Sequence, residues 1–363
     1  MKHYSADSIR RQILVLLKRW GLTEEDAAVT ADVMVDTDLS GVDSHGISMV
    51  MMYDAMMRSG EINPTATPTI VREGAAFAVL DANHGLGHPV AHRAMKLAME
   101  KAKGSGIGCV SVFNSHHFGA AGYYVRLAAE EGLMAVATTT TRQPAVVPTG
   151  AQAAVLGTNP LAFAAPGQDT ATFVLDMSTS IVASNKVRTY ALRDEPLPAG
   201  WVTDADGEAV TDPHEAHALI RSSREGGLVP LGGASTTLGG HKGFGLSVMV
   251  QILSSALSNA AQPGNDGAHD NIGHFFLAID PEHFNPDGGA AKISGELIKD
   301  LKNAEGLPGQ RVVIPGEPEA ASRRQREATG IPLPESLLTK IEDICMANKV
   351  PNLLEEVTFQ SVG

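Results

Sequence analysis

GLGHPV, residues 85–90, is the stretch whose reading decides the fold. It lies between an apolar branched run, FAVLDA from Phe77, and a helical pattern over 88–103. A phosphate-binding turn occupies that place in a doubly wound dinucleotide domain. Such a turn needs three glycines, so that backbone amides can approach a pyrophosphate and the helix can pack on its strand. Val90 stands where the third glycine belongs. The acidic residue that would bind a ribose about 20 residues on is missing too, because IGCVSVFNS ends in Asn114 and Ser115. GSGIG (104–108) precedes a strand rather than a helix, and GGASTTLGGHKG (232–243) puts His241 between glycine and Lys242, which a Walker loop does not allow. These glycines read as turns. The chain is expected to be α/β without a Rossmann unit.

Strand signals continue downstream. IGCVSVFN, LMAVATTTT, TFVLDMS, HFFLAID and RVVIPG are short, apolar, rich in branched residues and bounded by turn formers, with helical patterns over 119–131 and 243–260. Residues 187–238, rich in Gly, Pro and Asp, read as loops and short elements. Upstream, the first 75 residues read as helical. Ser5 caps a helix carrying Ile9, Ile13, Leu16 and Leu17 on one face, and Thr23 ahead of Glu24, Glu25 and Asp26 opens a second. SHGISMVMMYDAMMRSG gives a third, ending near Gly60; its Met49, Met51, Met52, Met56 and Met57 suit core or oligomer packing. Helices return over 318–328 and 334–348. The expected division is a helical N-terminal domain (1–75), a sheet domain (76–317) and a helical tail (318–363) that packs back on the start.

Bulk properties narrow the function. The 363 residues are 43% hydrophobic and 19% charged, the balance of a globular enzyme with a sizeable core. A net charge of −13 argues against a nucleic-acid partner, which needs clustered Lys and Arg. Cys109 and Cys345 form no CxxC pattern, so a reducing compartment is expected, with Cys109 a buried inert thiol in its apolar run. Without a cleavable leader or a run of about 18 apolar residues, the chain reads as cytoplasmic, with no membrane partner.

Thirteen histidines stand out. DLSGVDSHG places His45 beside Ser44 and Gly46, and FNSHHFGAAGYY places His116 and His117 directly after an apolar strand. An imidazole at a strand's end faces a cleft with a pKa suited to acid–base work between about 6 and 8. His84, His88 and His92, spaced by four, raise a metal site, but no acid follows at a ligand spacing such as HExxH, so none is assigned. GGHKGFGLSVMVQIL surrounds Lys242 with glycines before a strong helix, an anion site by its free amides.

DLSGVDSHG, FNSHHFGAAGYY, GTNPLAFAAP, FVLDMSTS, LPAGWVTDADGEAVTDP, LVPLGG, GGHKGFGL, HFFLAID and VIPGE occur in order from about residue 38 to 317. Together they resemble the type-2 malate/L-lactate dehydrogenase family. The resemblance implies a mixed, largely antiparallel central sheet with flanking helices, of the sulfolactate dehydrogenase type. It implies a homodimer, NAD or NADP as cofactor, and hydride exchange with C2 of a small 2-hydroxy or 2-oxo acid. His45 and His117 become the candidate acid–base residues, with Ser44 and Tyr53 lining the substrate pocket. Cofactor contacts are implied at Thr172, Phe173, Val174, Leu175, Asp176, Met177 and Ser178, at His241 and Lys242, and at Gly316, Glu317 and Pro318. Asn159, in the GTNP loop, would lie near the nicotinamide. One position departs from the pattern: Met49 replaces an arginine that grips the substrate carboxylate in a charged two-point bond. Arg142 is the candidate replacement. An NADPH-dependent reductase of cyclic or open-chain 2-imino acids is the alternative reading, and a metal-dependent hydrolase built on the histidine clusters the second.

Overall fold

The computed structural model describes residues 2–168, 172–222, 225–264 and 270–357. The chain opens with a short strand, β1 (Lys2–Tyr4), and then α1 (Ala6–Trp20), α2 (Glu24–Leu39) and α3 (Val50–Ser59). The expected caps form: Ser5 Oγ accepts from Ser8 N–H at 3.1 Å and Thr23 Oγ1 from Asp26 N–H at 3.2 Å. A single 3-10 turn, Ile47–Met49, precedes α3, which ends on Gly60 in the left-handed conformation.

Next come β2 (Thr69–Glu73), β3 (Phe77–Asp81), α4 (Gly87–Ser105), β4 (Ile107–Ser115), α5 (Ala121–Glu130), β5 (Met134–Thr139), β6 (Leu161–Ala165) and β7 (Phe173–Met177). β2 lies in the stretch read as helical. Its Thr69, Ile70 and Val71 favour extended backbone, and it pairs antiparallel with β3. The chain continues through α6 (Ser184–Arg193), β8 (Val202–Thr203), α7 (Pro213–Ser222), β9 (Gly227–Leu228), α8 (Gly240–Gln251) and β10 (Ile272–Ile279), then α9 (Gly289–Asn303), α10 (Glu317–Thr329), β11 (Ile331–Leu333) and α11 (Glu335–Asn348). Residues 187–238 thus hold more helix than expected, around a small core of Val146, Val187, Val202, Ala216 and Leu228. RVVIPG is not a strand. It runs beside β7 with one backbone bond, Val174 N–H to Pro315 O at 3.3 Å, and Pro315 cannot donate to a ladder.

Among the described residues seven strands form one sheet in the order β2-β3-β4-β10-β5-β6-β7, in which only β3 and β4 run parallel. The central sheet is therefore mixed and largely antiparallel, as expected. α4 and α5 cover it through small residues: Ala91, Ala94, Ala98, Ala128 and Ala129 meet Ala78, Val110, Ala137 and Phe276. Cys109 points away from that core and is only partly buried, against the expectation, because side chains alternate along β4.

The first and last segments share a core. Ile9, Ile13, Leu16 and Tyr53 bury with Ile331, Leu333 and Ile341, and β1 pairs with β11. Met56 is buried there and Met49, Met51 and Met57 pack at its edge. Residues 358–363 of the expected tail lie outside the described residues. No described helix is long and apolar enough to cross a membrane. Ile341→Ala, which empties a fully buried position of α11, is expected to cost about 2–5 kcal/mol, read as a lower urea midpoint at unchanged slope. A midpoint equal to that of the parent chain would separate the tail from the first helices.

Candidate active site

The turn GLGHPV shows what its glycines are for. A Cβ on Gly87 would lie 2.2 Å from the carbonyl oxygen of His116, and one on Gly85 2.9 Å from Ala66. Gly87 lets α4 press against the His116–His117 backbone, and the space a pyrophosphate would need is filled by protein. His88, on the first turn of α4, is carried into the interior and is fully buried.

Three elements converge on His117. It follows β4, in a turn held by the Tyr124 hydroxyl, which donates to Phe118 O. Tyr53 of α3, also fully buried, places its Oη 2.7 Å from His117 Nδ1, and the Gly119 N–H reaches the same nitrogen at 3.4 Å. His45, from the turn after α2, has its ring centroid 5.3 Å from that of His117, and its Nδ1 lies 2.7 Å from Ser44 Oγ. His88 stands edge-on to Tyr53, with Nε2 3.5 Å from the hydroxyl. The structure therefore brings Ser44, His45, Tyr53 and His117 together. His88, seen in the sequence only as one of a spaced trio, joins them.

Burial sets the protonation states. It lowers the His45 pKa, takes His117 well below the ordinary imidazole range with His45 and His88 adding to the effect, and lowers His88 to about 3. The same cause raises Tyr53 well above 10. An ionisation expected between about 6 and 8 is displaced toward lower pH. His274 is neutral by burial too, at about 3, bonded to Thr139 Oγ1 at 2.7 Å and Ser115 Oγ at 2.8 Å and stacked on Phe118.

Asp38 holds the SHG turn and escaped the sequence reading, although it opens the quoted segment. Its Oδ2 accepts from Ile47 N–H at 2.8 Å, and its carboxyl fills the place of a Gly46 Cβ, which would lie 1.7 Å from Oδ1. Arg142 is half exposed and already balanced by Glu61 at 2.7 Å and Asp270 at 2.8 Å. Glu61 and Asp270 also flank His116, whose Nε2 lies 3.1 Å from Glu61 O. Met49 sits half-buried just before α3.

The second group of sequence-marked residues assembles along the β7 edge. β7 carries Phe173, Val174, Leu175, Asp176 and Met177, with Thr172 and Ser178 at its ends. Gly316 (φ 94°) runs so close that a Cβ would touch Val174 at 3.3 Å. Glu317 turns instead to Lys302 and Arg311, and Pro318 is exposed on the first turn of α10. Asp176 Oδ2 accepts from Gly122 N–H at 2.7 Å, which ties β7 to the helix beginning just past His117. Asn159 (φ 41°) is fully buried and donates through Nδ2 to Ser247 O at 3.0 Å, while Thr179 Oγ1 donates to Asn159 O at 3.0 Å. The GTNP loop, the end of β7 and α8 therefore meet. α8 opens on Gly239 in the left-handed conformation with no side-chain cap, and His241 and Lys242 stand exposed on its first turn.

These residues fit a dinucleotide. The exposed Lys242 at a helix start suits a pyrophosphate, although the Gly240 and Lys242 N–H groups already donate to Ser235 O at 3.0 Å and Gly239 O at 2.8 Å. Asn159 Oδ1 is buried without a hydrogen-bond partner, an acceptor waiting for an amide or hydroxyl. No group of three or more His, Cys, Asp or Glu side chains among the described residues is arranged to hold a metal ion. His88 faces Tyr53 while His92 faces Tyr123, so the spaced histidines serve different neighbours. A separate crevice between Leu22, Pro64 and Leu86 offers one carboxylate, Asp26, already paired with Arg93.

Fold and site define an oxidoreductase of the NAD(P)-dependent 2-hydroxy-acid dehydrogenase class. The family model described as malate/L-lactate dehydrogenase matches residues 4–342. A malate dehydrogenase of Pyrococcus abyssi is 39% identical over 343 residues, covering 93% of this chain and 92% of its own. The crystal structure of malate dehydrogenase from Entamoeba histolytica superposes with a TM-score of 0.92 at 35% identity, over 96% of this chain and 99% of that one. Sulfolactate dehydrogenase from Methanocaldococcus jannaschii gives 0.85 at 34% identity, over 96% and 98%. The chain belongs to the malate/L-lactate dehydrogenase family.

The Asp38 carboxyl gives a test of how the SHG turn is held. Desolvation raises its pKa from 3.8 to about 8, with Ile47 N–H and Arg326 opposing the rise and Asp43 adding to it. The folded state keeps a proton over that window which the unfolded state has released, so stability falls as pH rises from about 4 to about 8 and then levels off. Asp38→Asn is expected to remove this slope, gaining about 1 kcal/mol or more on the parent chain between pH 5 and 8.5 in urea titrations. Parallel pH dependences in the two proteins would refute this role.

Proposed function

We propose that the protein exchanges a hydride between a nicotinamide, of NAD or NADP, and C2 of a 2-hydroxy or 2-oxo acid of malate or lactate type. Histidine acid–base catalysis, by His45 or His117, moves the accompanying proton. The observation that carries the reading is the pairing of two imidazoles, with ring centroids 5.3 Å apart, beside a hydroxyl-bearing turn. Two relatives in the comparison are named for malate and sulfolactate, both 2-hydroxy acids, which supports this substrate class.

The dinucleotide would be held by the β7 edge from Thr172 to Ser178, by His241 and Lys242, by Asn159, and by the 316–318 segment. When bound it supplies the two-electron exchange at its nicotinamide ring. The chain's own residues do the rest. Ser44 and His45 approach from the helical side, and His117 from the end of β4, so that an oxygen on C2 can meet an imidazole from either side. The histidines are uncharged, so the pocket can hold a hydroxyl or a carbonyl oxygen at that point without a fixed ion pair. In the place of the family arginine Met49 offers no charge, and we assign recognition of the substrate carboxylate to Arg142, with Glu61 yielding its place. The protein is read as a cytoplasmic homodimer, the exposed apolar row Ile293, Leu297 and Leu301 of α9 giving a second copy surface to bury.

A panel of 2-oxo acids, with and without ammonia or methylamine, followed by NADH and NADPH absorbance, tests the function. Turnover of a 2-oxo acid without added amine is expected; turnover only with amine would make the protein an imine reductase. His45→Ala and His117→Ala should each lose about 10²–10⁴ in kcat with dinucleotide affinity kept. Arg142→Ala should raise the KM of the 2-oxo acid about tenfold or more, about 1.4 kcal/mol, and an unchanged KM would exclude Arg142 from the pocket.

A further inference from the structure

His45 and His117 are held in different ways, and the difference separates their work. Two protein groups meet Nδ1 of His117: the Tyr53 hydroxyl at 2.7 Å and the Gly119 N–H at 3.4 Å. An amide N–H can only donate, so this nitrogen carries no hydrogen in the neutral ring. Tyr53 O–H then donates to it as well, and the one ring hydrogen lies on Nε2. Behind Tyr53, His88 Nε2 lies 3.5 Å from the hydroxyl oxygen and can donate to it, leaving His88 Nδ1 as a buried bare acceptor rather than a buried orphan donor. The row runs one way: His88 to Tyr53, Tyr53 to His117, His117 Nε2–H to the substrate.

A second proton on His117 would have to sit on Nδ1, against the Gly119 N–H and beside two more histidine rings. His117 can give a hydrogen bond; it has no place for a proton. His45 is not bound in this way. Its Nδ1 faces the Ser44 hydroxyl at 2.7 Å, a group that donates and accepts equally well. With Ser44 accepting, Nε2 of His45 is bare and takes a proton, and the resulting imidazolium keeps its Nδ1–H bonded to Ser44.

We propose that His45 is the proton carrier, that His117 is a permanently neutral hydrogen-bond donor to the oxygen on C2, and that Tyr53 is a positioning residue that fixes the His117 tautomer rather than a substrate contact. The division rests on the reading that both imidazoles face the substrate. In oxidation the substrate O–H bond breaks and its proton passes to Nε2 of His45. The C2–H bond breaks with its electron pair leaving to the oxidised nicotinamide, and the C=O bond forms while His117 Nε2–H holds the same oxygen. Reduction reverses each transfer, the imidazolium of His45 returning the proton.

The groups that face His45 or its turn are His117 after β4, His88 on α4, Tyr53 on α3, and Asp38 and Asp43 with Arg326 of α10. Three substitutions separate the roles. Glutamine cannot ionise but keeps an N–H donor, so His117→Gln should recover about tenfold or more of the kcat lost in His117→Ala, where one oriented donor is worth about 10²–10³. It should also keep the acid limb of the pH–rate profile. His45→Gln should lose about 10²–10⁴ in kcat and the acid limb with it. Tyr53→Phe should lower kcat and leave the KM for the dinucleotide unchanged. Without cofactor or substrate, histidine ring ¹⁵N signals should move with pH for His45 and stay fixed for His117 between pH 5 and 9. The division is overturned if His117 titrates in that range, or if His117→Gln is as inactive as His117→Ala and the acid limb survives in His45→Gln. Wild-type turnover in both alanine variants would instead remove the acid–base reading itself.

Discussion

The Tyr53–His117 hydrogen bond is the contact on which the rest depends, because it closes the joint between the helical end of the chain and the sheet. Neither side holds a site alone. α3 brings Tyr53, the turn before it brings Ser44 and His45, and β4 delivers His117 from the other side. Their alignment relies on two close approaches that a side chain would block. Gly87 lies against the His116 carbonyl, and Gly119, at φ 81°, lies within 3.0 Å of His88 Nε2 where its Cβ would be. Asp38 holds the third edge of the joint.

The pocket that results is polar without being charged. Burying an imidazole is tolerable when both nitrogens find partners or when the bare one is an acceptor. His274 takes the first course between Thr139 and Ser115, and His88 the second. Charge is kept at the margin, where Arg142 lies between Glu61 and Asp270, and on the exposed first turn of α8. A site of this kind suits a reaction in which a proton and a hydride move together and the oxygen never bears a full charge.

Much of this was legible in the sequence, for physical reasons that differ by region. Caps at Ser5 and Thr23, the left-handed Gly60 and the strand runs are local signals, and the structure repeats them. The turn at 85–90 could be excluded as a phosphate site from Val90 alone, but what its glycines press against could not, since His116 is distant in sequence. Ser44 with His45, and His116 with His117, stood out because each pair sits in a glycine-rich turn. Tyr53 reaches His117 across 64 residues, and no local pattern marks that bond. The same applies to His88, which looked like part of a spaced trio, and to Asp38, hidden as the first letter of a motif. α9 went unread because its apolar positions Ile293, Leu297 and Leu301 face outward, and RVVIPG misled because branched residues favour extended backbone whether or not a strand partner is there.

Neutron diffraction on deuterated crystals places the hydrogens on the His117 ring and so decides its tautomer. A deuteron is expected on Nε2 and none on Nδ1, with the Tyr53 O–D bond aimed at Nδ1. A deuteron on Nδ1 of His117, with the Tyr53 hydroxyl turned toward His88, would contradict this tautomer.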